Sequence, residues 1–235
     1  MLIAEPIDVP EWVNAVAIGV GSLQGAIYAS GFRDRKLDLF GIAVIGIATG
    51  LGGGFLRDIL LNRLPIALTE NWYILVAVGA ALAGMFLARV IRTLDWLITS
   101  LDALALGLFG AIGTTAALVT GLPFVPALFV GIITAVGGGF IRDVLLNMPI
   151  SVMHVGSLYA VAAGAGSLAL LLCNEANIGL GVSVPLCISV TVVLRLLAVR
   201  FGWSLPEQRI LKSLRSPKLV RPADLTGPID TQRDL

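Results

Sequence analysis

Two Arg-Asp dipeptides lie inside long apolar segments of the sequence, where charged side chains are rare and usually functional. They are Arg57-Asp58 and Arg142-Asp143. A charge at membrane depth is costly unless it faces the protein interior or water and has a partner. Adjacent residues on a helix point about 100° apart and pair poorly. We therefore expect cross-pairing, Arg57 with Asp143 and Arg142 with Asp58.

The two dipeptides belong to a duplicated motif. The segment Thr49–Asn62 recurs 85 residues later as Thr134–Asn147, with ten of fourteen positions identical. The same offset aligns Leu23–Ile27 with Leu108–Ile112 without a gap. Internal duplication of this kind is typical of transport proteins built from structural repeats.

Three consecutive glycines precede each charged pair, and each costs about 1 kcal/mol relative to alanine inside a helix. We predict that they bend or break the helix and bare its backbone to a water path. The residues are Gly52, Gly53 and Gly54, with Thr49 one turn earlier as an oxygen ligand, and Gly137, Gly138 and Gly139, with Thr134.

Close helix packing is the alternative reading of these glycines. Gly46 and Gly50 form a small-xxx-small pair, as do Gly131 and Ala135 in the second copy. Both roles can coexist, with the four-residue spacing serving packing and the triple run serving the break. A phosphate-binding loop fits poorly, because the flanks are apolar helices without a βαβ unit.

The elements that must carry these residues are membrane-spanning helices. The 235-residue chain is 57% hydrophobic and 13% charged, with a mean hydropathy of +0.94, which argues against a soluble enzyme. Uncharged runs close to 20 residues long predict spans. We place seven of them, at about 12–32, 39–62, 72–92, 97–120, 125–148, 152–173 and 181–201.

Because each repeat contains an odd number of spans, the second copy must enter the membrane from the opposite side. The predicted fold is an all-α integral membrane protein with two inverted three-helix repeats, a seventh helix, and glycine-broken helices two and five. Its parts are an extracytoplasmic N-terminus (1–11), the first repeat (12–96), the second repeat (97–180), the seventh helix (181–203) and a cytoplasmic, largely unstructured tail (204–235).

Lysine and arginine residues predict the orientation. One face receives twelve of them, five between residues 33 and 92 and seven between 200 and 233, whereas the other has little beyond Arg63. The basic face should be cytoplasmic, with the N-terminus outside a cell inner membrane.

The tail either contacts anionic lipid through Arg209, Lys212 and Arg215 or is simply solvated. A nucleic-acid partner is not expected, since no stacking platform accompanies the basic residues.

Other reactive residues are few. Two cysteines in apolar helices, Cys173 and Cys187, and a single histidine make neither a disulfide framework nor a metal site. We expect no metal, no cofactor and no enzymatic activity. Asp102 and Arg195 are the other charges inside predicted spans, and the sequence does not reveal whether Asp102 borders a pore or caps a helix.

The paired Gly-Gly-Gly-Phe-x-Arg-Asp-x-Leu-Leu-Asn motif, in a three-plus-three-plus-one helix chain, resembles the prokaryotic TRIC (trimeric intracellular cation) channels and their bacterial relatives. The resemblance covers about residues 12–201. It implies a homotrimer in which each protomer has its own pore, walled by helices two and five and passing monovalent cations, mainly potassium. By position, the two glycine triplets would line the pore, and Arg57, Asp58, Arg142 and Asp143 would form its charged centre and gate.

Two transport functions fit these residues. The first, which we favour, is a passive, potassium-permeable cation channel in which each Asp neutralises an Arg. The second is a secondary transporter for a small zwitterion such as glycine, with Arg57 or Arg142 holding the carboxylate and an Asp the ammonium. A purely structural membrane protein ranks below both, because it would leave the twin charged segments without a role.

Overall fold

Seven α-helices and one short 3-10 helix make up the computed structural model, which describes residues 10–31, 37–91, 95–153 and 158–203. No β-strand occurs among these residues, so the predicted all-α fold is confirmed. The predicted N-terminal segment and C-terminal tail lie almost entirely outside the described residues. The helices are α1 (Glu11–Ser30), α2 (Leu39–Leu60), α3 (Asn71–Ile91), α4 (Asp95–Val119), α5 (Phe124–Leu145), α6 (Tyr159–Glu175) and α7 (Leu180–Phe201), with the 3-10 helix at Ile66–Leu68.

Local sequence signals set several helix ends. The carboxylate of Asp38 accepts a 2.7 Å hydrogen bond from the Gly41 N–H and so caps the start of α2. Gly121, with φ of 79°, makes the turn between α4 and α5, and Gly202 ends α7 with φ of 64°. The predicted start of helix six at residue 152 was wrong, since α6 begins at Tyr159.

Five of the seven helices, α2 to α5 and α7, are long and apolar enough to cross a membrane. The helix α6 is apolar but shorter, at 17 residues. The helix α1 is more polar because it carries Asn14, Ser22 and Gln24, all buried against other helices. A central helix shielded from lipid tolerates such residues, provided that protein covers them.

The two predicted repeats appear as two packed three-helix units. Within the first unit α1 packs against α2 and α3, and within the second α4 packs against α5 and α6. The units meet where α2 packs against α5 and α1 against α4, while α7 covers α4 and α6. Along the α2–α5 contact, Gly138 lies against the Thr49 carbonyl and Gly53 against the Thr134 carbonyl. Replacing each residue of one contact by its counterpart in the other repeat gives the other contact. This is expected for antiparallel helices related by a two-fold axis.

The repeat register of α1 and α4 differs from the sequence alignment. Thr49 packs on Gly25 in the first unit, and its counterpart Thr134 packs on Gly113 in the second. Those glycines are 88 residues apart, so the 85-residue alignment of Leu23–Ile27 with Leu108–Ile112 was wrong by three residues. The reason is the connection between the first two helices of each unit, which spans residues 31–38 in the first copy but only 120–123 in the second.

The predicted breaks in helices two and five were also wrong. Both α2 and α5 remain α-helical through their glycine triplets. A Cβ on Gly53 or on Gly138 would collide with a backbone carbonyl of the facing helix. The low helix propensity of glycine is therefore offset by the close approach of two backbones, a packing role that the sequence had indicated for the pairs Gly46–Gly50 and Gly131–Ala135 and not for the triplets.

Candidate functional site

The first Arg-Asp pair is an ion pair between neighbours on one helix. Arg57 Nε lies 2.7 Å from Asp58 Oδ1, and its Nη2 lies 2.9 Å from Oδ2. Both side chains are about 95% buried, at 5% and 4% exposure. A two-point guanidinium–carboxylate contact is among the strongest polar contacts in proteins.

The second pair is also formed between neighbours, but both nitrogens contact one oxygen: Arg142 Nε and Nη2 lie 3.0 and 2.8 Å from Asp143 Oδ1. The predicted cross-pairing was therefore wrong. Because α2 and α5 are antiparallel and cross at Gly53 and Gly138, each arginine lies four residues beyond the crossing, about 6 Å along its own helix axis. The two arginines are thus on opposite sides of the crossing, each next to its own aspartate.

Each aspartate also organises the loop that follows its helix. Asp58 Oδ2 accepts a 3.0 Å hydrogen bond from the Ile66 N–H, and Asp143 Oδ2 accepts one of 2.8 Å from the Ser151 N–H. These donors are 85 residues apart, as the motif repeat requires. The carboxylates therefore join the end of a helix to the next segment of chain, in addition to neutralising an arginine.

The asparagine that ends each motif has a conformational role that sequence reasoning missed. Asn62 and Asn147 have φ of 52° and 49°, in the left-handed region that asparagine tolerates better than most residues. The next N–H groups, of Arg63 and Met148, donate 2.8 and 2.9 Å bonds back to the aspartate carbonyls, a Schellman-type helix ending. The signal was present in the sequence as an asparagine just after each apolar helix.

Within the described part of the chain, Arg142 has further partners that Arg57 lacks. Its Nη1 lies 3.2 Å from Gln24 Oε1 and 3.4 Å from Asp102 Oδ1. Asp102 Oδ2 lies 3.6 Å from Nη2 of Arg195, and Asp102 Oδ1 accepts from the Tyr159 hydroxyl at 3.4 Å. Asp102 therefore faces a buried cluster of charges and does not cap its own helix, and Arg195 ties α7 to that cluster.

A cavity of about 190 Å³ opens beside Arg57. Its lining includes two arginines and one carboxylate, Arg57, Arg63 and Asp58, so the charged groups sum to +1. The remaining lining residues are uncharged, among them Asn14, Ile112 and Thr115. This cavity can accept a small ligand that carries negative charge.

The two motif threonines lie at helix contacts. The Thr49 hydroxyl donates a 2.6 Å bond to the Ile45 carbonyl of its own helix, and the Thr134 hydroxyl donates an equal bond to the Val130 carbonyl. Thr49 is 4% exposed and Thr134 fully buried. Their role as ion ligands stays a prediction.

Among the described residues no group of three or more His, Cys, Asp or Glu side chains forms a potential metal site. The two cysteines, Cys173 and Cys187, are both buried and unbridged.

Comparisons with known proteins agree with the duplicated fold. The family model described as "Glycine transporter" matches the chain twice, over residues 11–89 and 99–175. The UPF0126 inner membrane protein YadS of Escherichia coli K12 is 32% identical over 203 residues, which are 83% of this chain and 94% of YadS.

Solved structures of TRIC channels have the same fold. A TRIC cation channel, studied for the structural basis of its conductance, superposes with a TM-score of 0.76 and 31% identity, covering 86% of this chain and 98% of that one. The TRIC trimeric intracellular cation channel orthologue from Rhodobacter sphaeroides has a TM-score of 0.75 and 27% identity, covering 82% and 98%. The resemblance inferred from the motif is confirmed, and the chain belongs to the family of UPF0126 membrane proteins, whose family model is described as "Glycine transporter".

Proposed function

We propose that the protein is a monovalent-cation channel, permeable to potassium, with a path in each protomer of a homotrimer. The observation that carries this proposal is the two-fold α2–α5 crossing, flanked on each side by a buried Arg-Asp pair, within the fold of the TRIC channels. Each arginine is neutralised by the aspartate beside it, so neither repels a cation as an isolated buried charge would.

On this proposal the α2–α5 crossing is the point at which the path closes, since the backbones at Gly53 and Gly138 touch the facing helix. Separation of α2 from α5 by a few ångströms would let water reach the Thr49 and Thr134 carbonyls. Backbone carbonyls are ligands that potassium filters use. The glycine triplets Gly52 to Gly54 and Gly137 to Gly139 would then wall the path, and Arg57, Asp58, Arg142 and Asp143 would guard its two ends.

Orientation and location belong to the same proposal. The asymmetry of basic residues favours an extracytoplasmic N-terminus and a cytoplasmic C-terminus. The relative YadS is an inner membrane protein, which supports the same membrane for this chain. On this orientation Arg57 and its cavity face the outside, and Arg142 and its cluster face the cytoplasm. Lipids surround the trimer and contact its apolar helix faces.

Potassium efflux from loaded proteoliposomes tests the channel directly. We expect a passive leak that follows the potassium gradient and needs no second solute. The Asp58→Asn variant, which leaves Arg57 without its carboxylate, should lower that leak, whereas Asp38→Asn, a substitution at an exposed helix cap, should not. Vesicles that hold potassium as tightly as protein-free vesicles would contradict the proposal.

Transport of a small zwitterion such as glycine is the second candidate. It is favoured by the family description and by the net +1 charge of the cavity lining at Arg57, Arg63 and Asp58. Uptake of labelled glycine into the same vesicles measures it. Saturable uptake without potassium leak would replace the channel proposal with this one.

A further inference from the structure

Arg57 and Arg142 differ in the partners of one guanidinium nitrogen, Nη1. In both copies Nε and Nη2 are bound by the adjacent aspartate, which leaves Nη1 for other partners. Arg142 Nη1 has Gln24 Oε1 at 3.2 Å and a carboxylate oxygen of Asp102 at 3.4 Å. Among the described residues, Arg57 Nη1 has one contact, Asn14 Oδ1 at 3.5 Å, which is at the limit of a hydrogen bond.

The 88-residue register of α1 and α4 explains this difference residue by residue. Asn14 is the counterpart of Asp102, so the first repeat has an amide where the second has a carboxylate. Ile112 is the counterpart of Gln24, so an apolar side chain replaces the amide oxygen. Both Asn14 and Ile112 line the cavity of about 190 Å³ beside Arg57.

A second polar group in the same cavity lacks a partner. Thr115 is fully buried, and its hydroxyl has no hydrogen-bond partner among the described residues. It lines the cavity together with Arg57. A buried hydroxyl and a buried guanidinium N–H are each stabilised by an acceptor within hydrogen-bond distance, so both can hold an oxygen atom of a bound molecule.

We propose that this cavity is a binding site for a small carboxylate, held by Arg57 Nη1 and the Thr115 hydroxyl. The second repeat shows the chemistry, since there the same guanidinium nitrogen is bound by the carboxylate of Asp102. The net +1 charge of the lining, to which the exposed Arg63 contributes, favours an anionic group. The volume of about 190 Å³ is large enough for a small carboxylate such as acetate or glycine. The site extends the second candidate function by locating the substrate carboxylate, yet binding there can be measured whether or not the protein transports anything.

Thermal unfolding and calorimetric titration of the purified protein in lipid nanodiscs test the site, with acetate, glycine and methylammonium as probes at equal ionic strength. Acetate and glycine should bind saturably and raise the unfolding midpoint, whereas methylammonium should not. Asn14→Asp supplies the missing carboxylate from the protein itself and should weaken acetate binding about ten-fold or more. Thr115→Val removes one hydrogen bond to a charged ligand and should weaken binding about ten-fold or more.

Thr114→Val is the matched control, because the neighbouring Thr114 hydroxyl already donates a 2.8 Å bond to the Gly110 carbonyl. It should bind acetate like the wild type. Equal affinities of the Thr115→Val and Thr114→Val variants would overturn the site, and so would equal stabilisation by acetate and methylammonium. Glycine uptake that persists unchanged in Asn14→Asp would overturn the assignment of this site to the transported carboxylate, while leaving transport itself intact. Acetate binding that Asn14→Asp abolishes, in a protein without glycine uptake, would support the site and reject the transport candidate.

Discussion

Adjacent glycines of the first triplet should respond in opposite directions to the same substitution. A Cβ on Gly53 would collide with the carbonyl oxygen of Thr134, a backbone atom that cannot rotate away. A Cβ on Gly54 would meet nothing within 4 Å. The two substitutions lie one position apart on the same helix, but only the Cβ at position 53 would meet the facing helix.

The magnitudes follow from two opposing effects. Alanine gains about 1 kcal/mol over glycine in a helix interior. Overpacking against a rigid neighbour costs about 3 kcal/mol, the upper end of the usual range, because the contact is with backbone. Gly53→Ala should thus lose about 2 kcal/mol of unfolding free energy, while Gly54→Ala should gain up to about 1 kcal/mol.

Thermal unfolding of both variants in the same detergent measures the difference. We expect the midpoint of Gly53→Ala to fall below the wild type and that of Gly54→Ala to stay level or rise. Gly138→Ala, the symmetry-related substitution against the Thr49 carbonyl, should match Gly53→Ala. Equal midpoints for Gly53→Ala and Gly54→Ala would refute the close α2–α5 contact.

Three further predictions concern the buried charges and the helix ends. Asp58→Asn should cost about 3 kcal/mol of unfolding free energy because it isolates the buried charge of Arg57. Asp143→Asn should cost less because Asp102 remains beside Arg142, and chemical denaturation of each variant measures the difference. Replacing Asn62, with φ of 52°, by glycine should be nearly neutral, whereas alanine should cost about 1 kcal/mol by thermal unfolding. A double-mutant cycle of Arg195→Met with Asp102→Asn should give a coupling energy of about 1 kcal/mol, and additive effects would show that α7 is not tied to the cluster.

Much of the fold follows from where charges are absent. Uncharged runs of span length predicted seven helices, and six of the seven begin within two residues of the predicted position. The exception is α6, which begins at Tyr159 although the apolar run in the sequence starts earlier, so hydropathy alone misplaces the start of the helix. The repeated motif then predicted the inverted arrangement.

Contacts between helices were harder to predict, because they depend on partners far away in the sequence. The low helix propensity of glycine can be offset by close packing against a facing backbone. The residues next to a glycine in the sequence do not reveal which helix faces it. A long arginine side chain can turn to its own neighbour, so the 100° separation of adjacent positions did not prevent the Arg57–Asp58 pair. The register of α1 against α4 was hidden by a difference in loop length, and with it the equivalence of Asn14 and Asp102.

Single-channel recording across a potassium gradient tests the central claim most directly. Purified protein in a planar bilayer should show ohmic unitary currents that reverse near the potassium equilibrium potential, which requires a cation-selective path. Absence of unitary current from the same preparation that takes up labelled glycine saturably would contradict a cation channel.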